Sequence, residues 1–330
     1  MKEKKKKIRI RREKMKKAIN TERIEGRIYQ HSLSVKTVQN QTSANYGKEF
    51  ISGNLEIAVD EEGLNVIPVH FTYVTETTSQ GNKNATFTNL KKIIDGGKTW
   101  ITDGKDEALK VRVDTALALN DFYTQDDNLV SIKVNEGGFV TIITDLAPEN
   151  ERNTFAVDMI ITAVTRTEAD PERNIEKDYV TVKGAIFNFR NDILPMEFTV
   201  RHEDGMKYFE DLGVTGANPV FTKVWGKINC STIVTEVKED SAFGESSVRT
   251  FERKVREWVI TGTARVPYDF GDEKVLTADE LTKAMQNREV MLAETKKRSE
   301  EYRASKSAPS APATNFGPAT TTAKTGTFNF

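Results

Sequence analysis

Residues 50–74 read FISGNLEIAVDEEGLNVIPVHFTYV, and residues 181–200 read TVKGAIFNFRNDILPMEFTV. With one gap at the turn the stretches superpose, placing Gly53 on Gly184, Leu55 on Ile186, Pro68 on Pro195, Phe71 on Phe198 and Thr72 on Thr199. Each is followed by a short helix-like segment carrying a Phe and a Leu (Phe87 and Leu90; Phe209 and Leu212), then by two long strand-like runs. Such a repeat predicts a tandem of one small β-rich unit.

Working outward, the first unit spans residues 23–150, with strands expected at 24–40, 47–60, 64–76, 108–124 and 128–144 and a helix at 85–95. The second spans 151–270, with strands at 154–167, 177–190, 193–201, 219–238 and 248–266 and a helix near 204–212. Val, Ile, Phe, Tyr and Thr alternate with polar residues, as half-buried strands require. In ALKVRVDTALAL, Leu109, Val111 and Val113 point one way and Lys110, Arg112 and Asp114 the other. Three strands, a helix and two strands is the order of the OB-fold, a five-stranded Greek-key barrel. Glycine in the middle of strand two, Gly53 and Gly184, suits a barrel that must bend sharply. The fold expected is mainly β: tandem OB-like barrels, each with one short helix, a charged C-terminal helix and disordered termini. A sandwich or a jelly roll is the alternative.

The ends differ in composition from the body. Residues 1–20 hold eleven Lys or Arg and two Glu, a net of +9, so the rest of this chain of net charge −1 carries about −10. A basic arm over residues 1–22 either attracts polyanions or serves as a solvated leader. In the 271–304 zone, residues 277–304 take helical period. Thr277 is the N-cap candidate, Glu280 closes a capping box, and Leu281, Met285 and Leu292 give a thin apolar face. Residues 305–330 are rich in Ser, Ala, Pro, Thr and Gly and predict a disordered tail ending in Phe330. The single cysteine, Cys230, allows no internal disulfide, and no apolar run approaches a membrane span. A cytoplasmic setting is expected.

Little points to an enzyme. His31, His70 and His202 lie far apart, and one cysteine cannot build a Cys-rich zinc site. Gly97-Lys98-Thr99 looks like the end of a phosphate loop, but Lys92 stands where the first glycine belongs, and no helix is expected to follow. Asp60-Glu61 and Asp126-Asp127 fall at turns, where acids are routine. No catalytic residue, metal or cofactor is assigned.

The pieces YGKEFISGNLEIAVDE, NVIPVHFTYV and KVWGKINCSTIV, with a low-complexity tail tipped by an aromatic residue, resemble the single-stranded DNA-binding proteins of bacteriophages and prophages over residues 24–268. The resemblance implies OB-fold modules that coat single-stranded DNA in replication or recombination, in the bacterial host cytoplasm, with a tail that recruits replication or recombination proteins. The chain departs from the familiar bacterial type in that its last twenty-five residues contain no acid.

Such a module needs aromatic faces for bases and Lys or Arg for phosphates. Lys223, Trp225 and Lys227 alternate on one strand face; Phe251 and Arg253 share a face, and Lys254, Arg256 and Trp258 take the other. Phe187 and Phe189 share a face with Arg190 next to them. In the first unit the candidates are Tyr46 and Lys48, Lys110 and Arg112, and Trp100 beside Lys98. Burying Trp225 would bury its flanking lysines, so it is expected to face solvent. The same reasoning applies to Trp258 through Lys254 and Arg256. Phe71 and Phe198 are assigned to the core. The rival functions are a phage tail or capsid protein and a protein-interaction module.

Overall fold

Strand residues alternate between interior and surface with period two. In the computed structural model, which describes residues 18–170, 175–239, 247–269 and 278–307 (backbone alone at 232–239, 247–249, 251–254, 278 and 305–307), the KVRVDTAL stretch alternates half-buried and buried along its length. The first unit comprises β1 (Asn20–His31), β2 (Ser34–Thr37), β3 (Glu49–Ala58), β4 (Val66–Thr75), α1 (Ala85–Gly96), α2 (Trp100–Asp103), β5 (Lys110–Tyr123) and β6 (Leu129–Ile142). The second comprises β7 (Asn153–Thr167), β8 (Tyr179–Phe187), β9 (Ile193–Val200), α3 (Glu203–Asp211), β10 (Val220–Glu239) and β11 (Ser247–Thr263), and α4 (Ala278–Ser307) follows.

Both units close into the same barrel. In the first, β1 pairs with β3, β3 with β4, β4 in parallel with β6, β6 with β5, and β5 again with β1. In the second, β7 pairs with β8, β8 with β9, β9 in parallel with β11, β11 with β10, and β10 again with β7. This is the OB connectivity twice over, with a helix between the third and fourth strands each time. Phe87, Leu90 and Ile93 of α1, and Met206 and Phe209 of α3, pack into the core. The Asn84 side chain caps α1 by accepting from Thr86 N at 3.0 Å, and Asn89 Nδ2 ties the helix to Val140 O at 2.8 Å.

The repeat carries both likeness and difference. Gly53 and Gly184 each lie where a Cβ would overlap a backbone carbonyl, that of Ser32 just past the end of β1 or that of Ile160 in β7. Phe71 and Phe198 are both buried. The hairpin registers nevertheless differ by two residues, because Gly53 pairs with Phe71 whereas Gly184 pairs with Met196. The strand expected over 24–40 breaks at Ser32–Leu33 into β1 and β2, opposite Gly53. The first barrel also has a second, one-turn helix, α2, directly after Lys98-Thr99 where none was expected. Lys98 is paired there with Glu107 at 2.6 Å.

The barrels share β1. One edge of it pairs with β5, and the other with β7 over residues 20–24 and with β3 over 27–31. Helix α4 bridges the units. Leu281 and Ala284 cover Phe187, Phe221, Ile160 and Ile193 on the second barrel, and Arg288 pairs with Asp121 of β5 at 3.1 Å. Farther along, Arg303 holds Asp127 in the β5–β6 turn at 2.7 Å. Met285, from the expected apolar seam, is exposed. The Thr277 cap, the bulk of the basic arm (residues 1–17) and tail residues 308–330 lie outside the described residues.

Candidate nucleic-acid interface

Where the barrels join, the outer faces of five strands run together. Register sets Lys227 of β10 opposite Thr154 of β7, Thr154 opposite Arg23 of β1, Arg23 opposite Asp114 of β5, and Asp114 opposite Phe139 of β6. A neighbouring row sets Trp225 opposite Ala156, and Ala156 opposite Thr21. These residues line a cleft of ≈ 1260 Å³. Its floor is made of small residues, Thr21, Ala116, Gly138, Thr154 and Ala156, and its margins carry Trp225, Phe189 and Phe139. All three rings meet solvent: Trp225 is 40% exposed, Phe189 68% and Phe139 73%. An exposed ring above a floor of small side chains can receive the flat face of a base.

The charge here is mixed. Lys223, Lys227 and Arg23 line the cleft with Glu22, Asp114, Glu136 and Glu151. Arg23 Nε meets Asp114 Oδ1 at 3.3 Å. Lys227 Nζ donates to the Asn150 carbonyl, and partial burial pulls its pKa below the usual lysine range. Glu22 is buried beneath the floor, accepting from Thr115 Oγ1 at 2.5 Å and Trp258 Nε1 at 2.8 Å. Burial raises its pKa to about 7, against the lowering effect of those two donors.

The structure brings Lys223, Trp225, Lys227 and Phe189 into the cleft, with Arg190 over the Phe189 ring at 5.0 Å. Lys110 and Arg112 lie farther along the same outer face of β5. Two expectations are corrected by burial. Trp258, 2% exposed, is core, with its ring under Lys133 Nζ at 5.1 Å. Phe187, 0% exposed, packs under α4. A base cannot reach either ring. Trp100 lies away from the cleft, half-buried against Tyr29 at 6.0 Å and under Lys105. Tyr46 and Lys48 are exposed in the turn between β2 and β3, also outside the cleft. Arg256 is exposed opposite Cys230, where β10 and β11 continue as a paired ribbon. The side chains of Phe251, Arg253 and Lys254 lie outside the described residues.

Phe139 and Arg23 were missed from sequence. The alternation in GGFVTI held the signal for Phe139, since a buried Val140 turns Phe139 outward. The carboxylates at turns also have partners: Glu61 is bridged by Arg152 at 2.9 Å and Lys105 at 3.0 Å, and the hydrogen bond from Arg152, with that from Lys105, holds its pKa at about 2. Among the described residues no cluster of three His, Cys, Asp or Glu could hold a metal, and no helix is long and apolar enough to cross a membrane.

Residues 20–298 match the family described as YorF. No curated protein matches. Similar solved structures include a deletion variant of the single-stranded DNA binding protein from Thermus aquaticus, 11% identical, covering 78% of this chain and 100% of that one with a TM-score of 0.44. Another is a replication protein A heterotrimer bound to single-stranded DNA, 9% identical, covering 83% of this chain and 70% of that one with a TM-score of 0.20. The OB assignment stands on the strand pairing of this chain itself.

Proposed function

The chain belongs to the YorF family, and we propose that it binds single-stranded DNA without sequence preference and without chemistry, protecting the strand in replication or recombination. The observation that carries this reading is the interbarrel cleft, lined by the exposed rings of Trp225, Phe189 and Phe139 around a floor of small residues. Bases stack on the three rings, and stacking accepts any base because every base offers a π-face. Lys223 and Lys227 flank Trp225 on its own strand face and meet phosphates beside the stacked base. The acids in the cleft keep the number of neutralised phosphates small, so affinity rests more on stacking than on charge.

Titration of the full chain with oligo-dT at several salt concentrations, against a duplex of equal length, tests this. Trp225 is the exposed tryptophan, while Trp258 is buried and Trp100 is packed, so quenching by oligo-dT should come chiefly from Trp225. Trp225→Ala should weaken binding by about 1–3 kcal/mol in a folded protein. A wild-type chain that ignores oligo-dT and assembles into large particles would point to the structural-protein alternative.

A further inference from the structure

The outer face of β1 and β5 continues beyond the cleft. Two residues past the pairing of Arg23 with Asp114, register sets Glu25 opposite Arg112, and two residues further it sets Arg27 opposite Lys110. All four turn outward, because Ile24, Ile28, Val111 and Val113 fill the interior. Arg112 lies opposite Thr141 of β6, one step along from Phe139. The acids of this region are engaged elsewhere: Glu25 is buried and accepts from Ala147 N, Asp114 holds Arg23, and Glu61 holds Arg152 and Lys105. Lys110 Nζ reaches the Thr144 carbonyl at 2.9 Å.

Arg27 and Arg112 remain. Among the described residues neither forms an ion pair or a hydrogen bond, and Nε and Nη1 of Arg27 and Nε of Arg112 are shielded from water with no acceptor. Two half-buried guanidiniums on adjacent strands, neither ion-paired with the Glu25 carboxylate that shares their face and accepts instead from Ala147 N, call for an anion. Their outer amino nitrogens are the groups that a ligand would meet. Guanidinium suits phosphate because its N–H groups form a planar fork matched to the oxygens.

We propose that Arg27 and Arg112, with Lys110 at the margin, seat a backbone phosphate of a single strand that leaves the cleft past Phe139. This rests on the single-strand reading above. The strand then runs along β1 and β5 of the first barrel and not across β3 and β4.

The test is the salt dependence of oligo-dT binding by the full chain, read by fluorescence anisotropy. For single strands, log K falls with log salt by about 0.7 per phosphate neutralised, so losing the one phosphate seated by both arginines, R27Q/R112Q should flatten the slope by roughly 0.7. R27K/R112K should keep the wild-type slope, and the quenching at saturation should stay unchanged in both, since Trp225 lies elsewhere. Should the double Gln variant fail to fold, R112Q alone must flatten the slope by a measurable part of that ~0.7. A folded R27Q/R112Q or R112Q protein with the wild-type slope overturns the seat and leaves the single-strand reading intact. A wild-type chain that does not bind oligo-dT removes both.

Discussion

Trp258 Nε1 donates a 2.8 Å hydrogen bond to Glu22 Oε1, so the last strand of the second barrel grips the first strand of the first. Thr115 Oγ1 donates to the other carboxylate oxygen at 2.5 Å. From the other side Lys133 of β6 crosses between the barrels, its Nζ 2.9 Å from the Glu197 carbonyl and 5.1 Å from the Trp258 ring. The cleft floor is therefore fixed by a polar joint beneath it, which holds Trp225 and Phe139 at a set separation.

That joint makes stability depend on pH. Burial raises the Glu22 pKa from 4.5 to about 7, so the folded state holds this proton more tightly than the unfolded chain. The contribution of Glu22 is therefore greatest below pH 4.5, declines as pH rises towards 7, and is constant above that. At ~1.4 kcal/mol per pKa unit the decline is roughly 3 kcal/mol. Glu61 acts in a lower window with the opposite sign: its folded pKa of about 2 adds stability above 4.5 that is lost as pH falls towards 2. Urea unfolding of Glu22→Gln should give a flatter profile between pH 5 and 8 than the wild type. Equal slopes in the two proteins would contradict this account.

The barrels could be read from the chain because strand alternation is local: Val111 and Val113 announce their face within one element. The errors arose where one strand face changes surroundings along its length. Arg256, Trp258 and Ile260 share a face of β11, but Arg256 is exposed where β11 has run past the barrel interior that holds the other two. Charged neighbours in sequence therefore said nothing about Trp258. For Trp225 the same reasoning matches the structure, because its strand face lies outside the barrel from Lys223 to Lys227. Phe187 was misplaced because its cover, Ala284 of α4, lies almost a hundred residues away. The cleft was not legible at all, since the row from Lys227 to Phe139 draws one residue from each of five strands in two barrels.

The matched glycines give a test of the repeat. A methyl group at Gly184 would overlap the Ile160 carbonyl, and one at Gly53 that of Ser32, with Gly53 also at φ +133. Backbone cannot yield as a flexible side chain does. Gly184→Ala and Gly53→Ala should each lower stability by about 1–3 kcal/mol, the range for overpacking. Gly53→Ala should be the worse of the two, because its positive φ adds strain. Denaturant midpoints at unchanged m-value provide the measurement. A neutral Gly184→Ala would mean that the two strands do not approach as closely as the pairing of β7 with β8 requires.

Phe139 separates a binding surface from a merely exposed residue. At 73% exposure it buries little, so Phe139→Ala should change stability by no more than ~0.5 kcal/mol. If a base stacks on it, the same substitution should weaken oligo-dT binding by about 1–3 kcal/mol. Trp225 and Phe139 stand at opposite margins of the cleft, so a strand crossing it uses a different base for each. Losses for independent sites add within about 0.5 kcal/mol, so the doubly substituted protein should show their sum. Anisotropy titration of the two single variants and the double variant measures this. If Trp225→Ala alone weakens binding, the strand stays on the second barrel and never reaches β6.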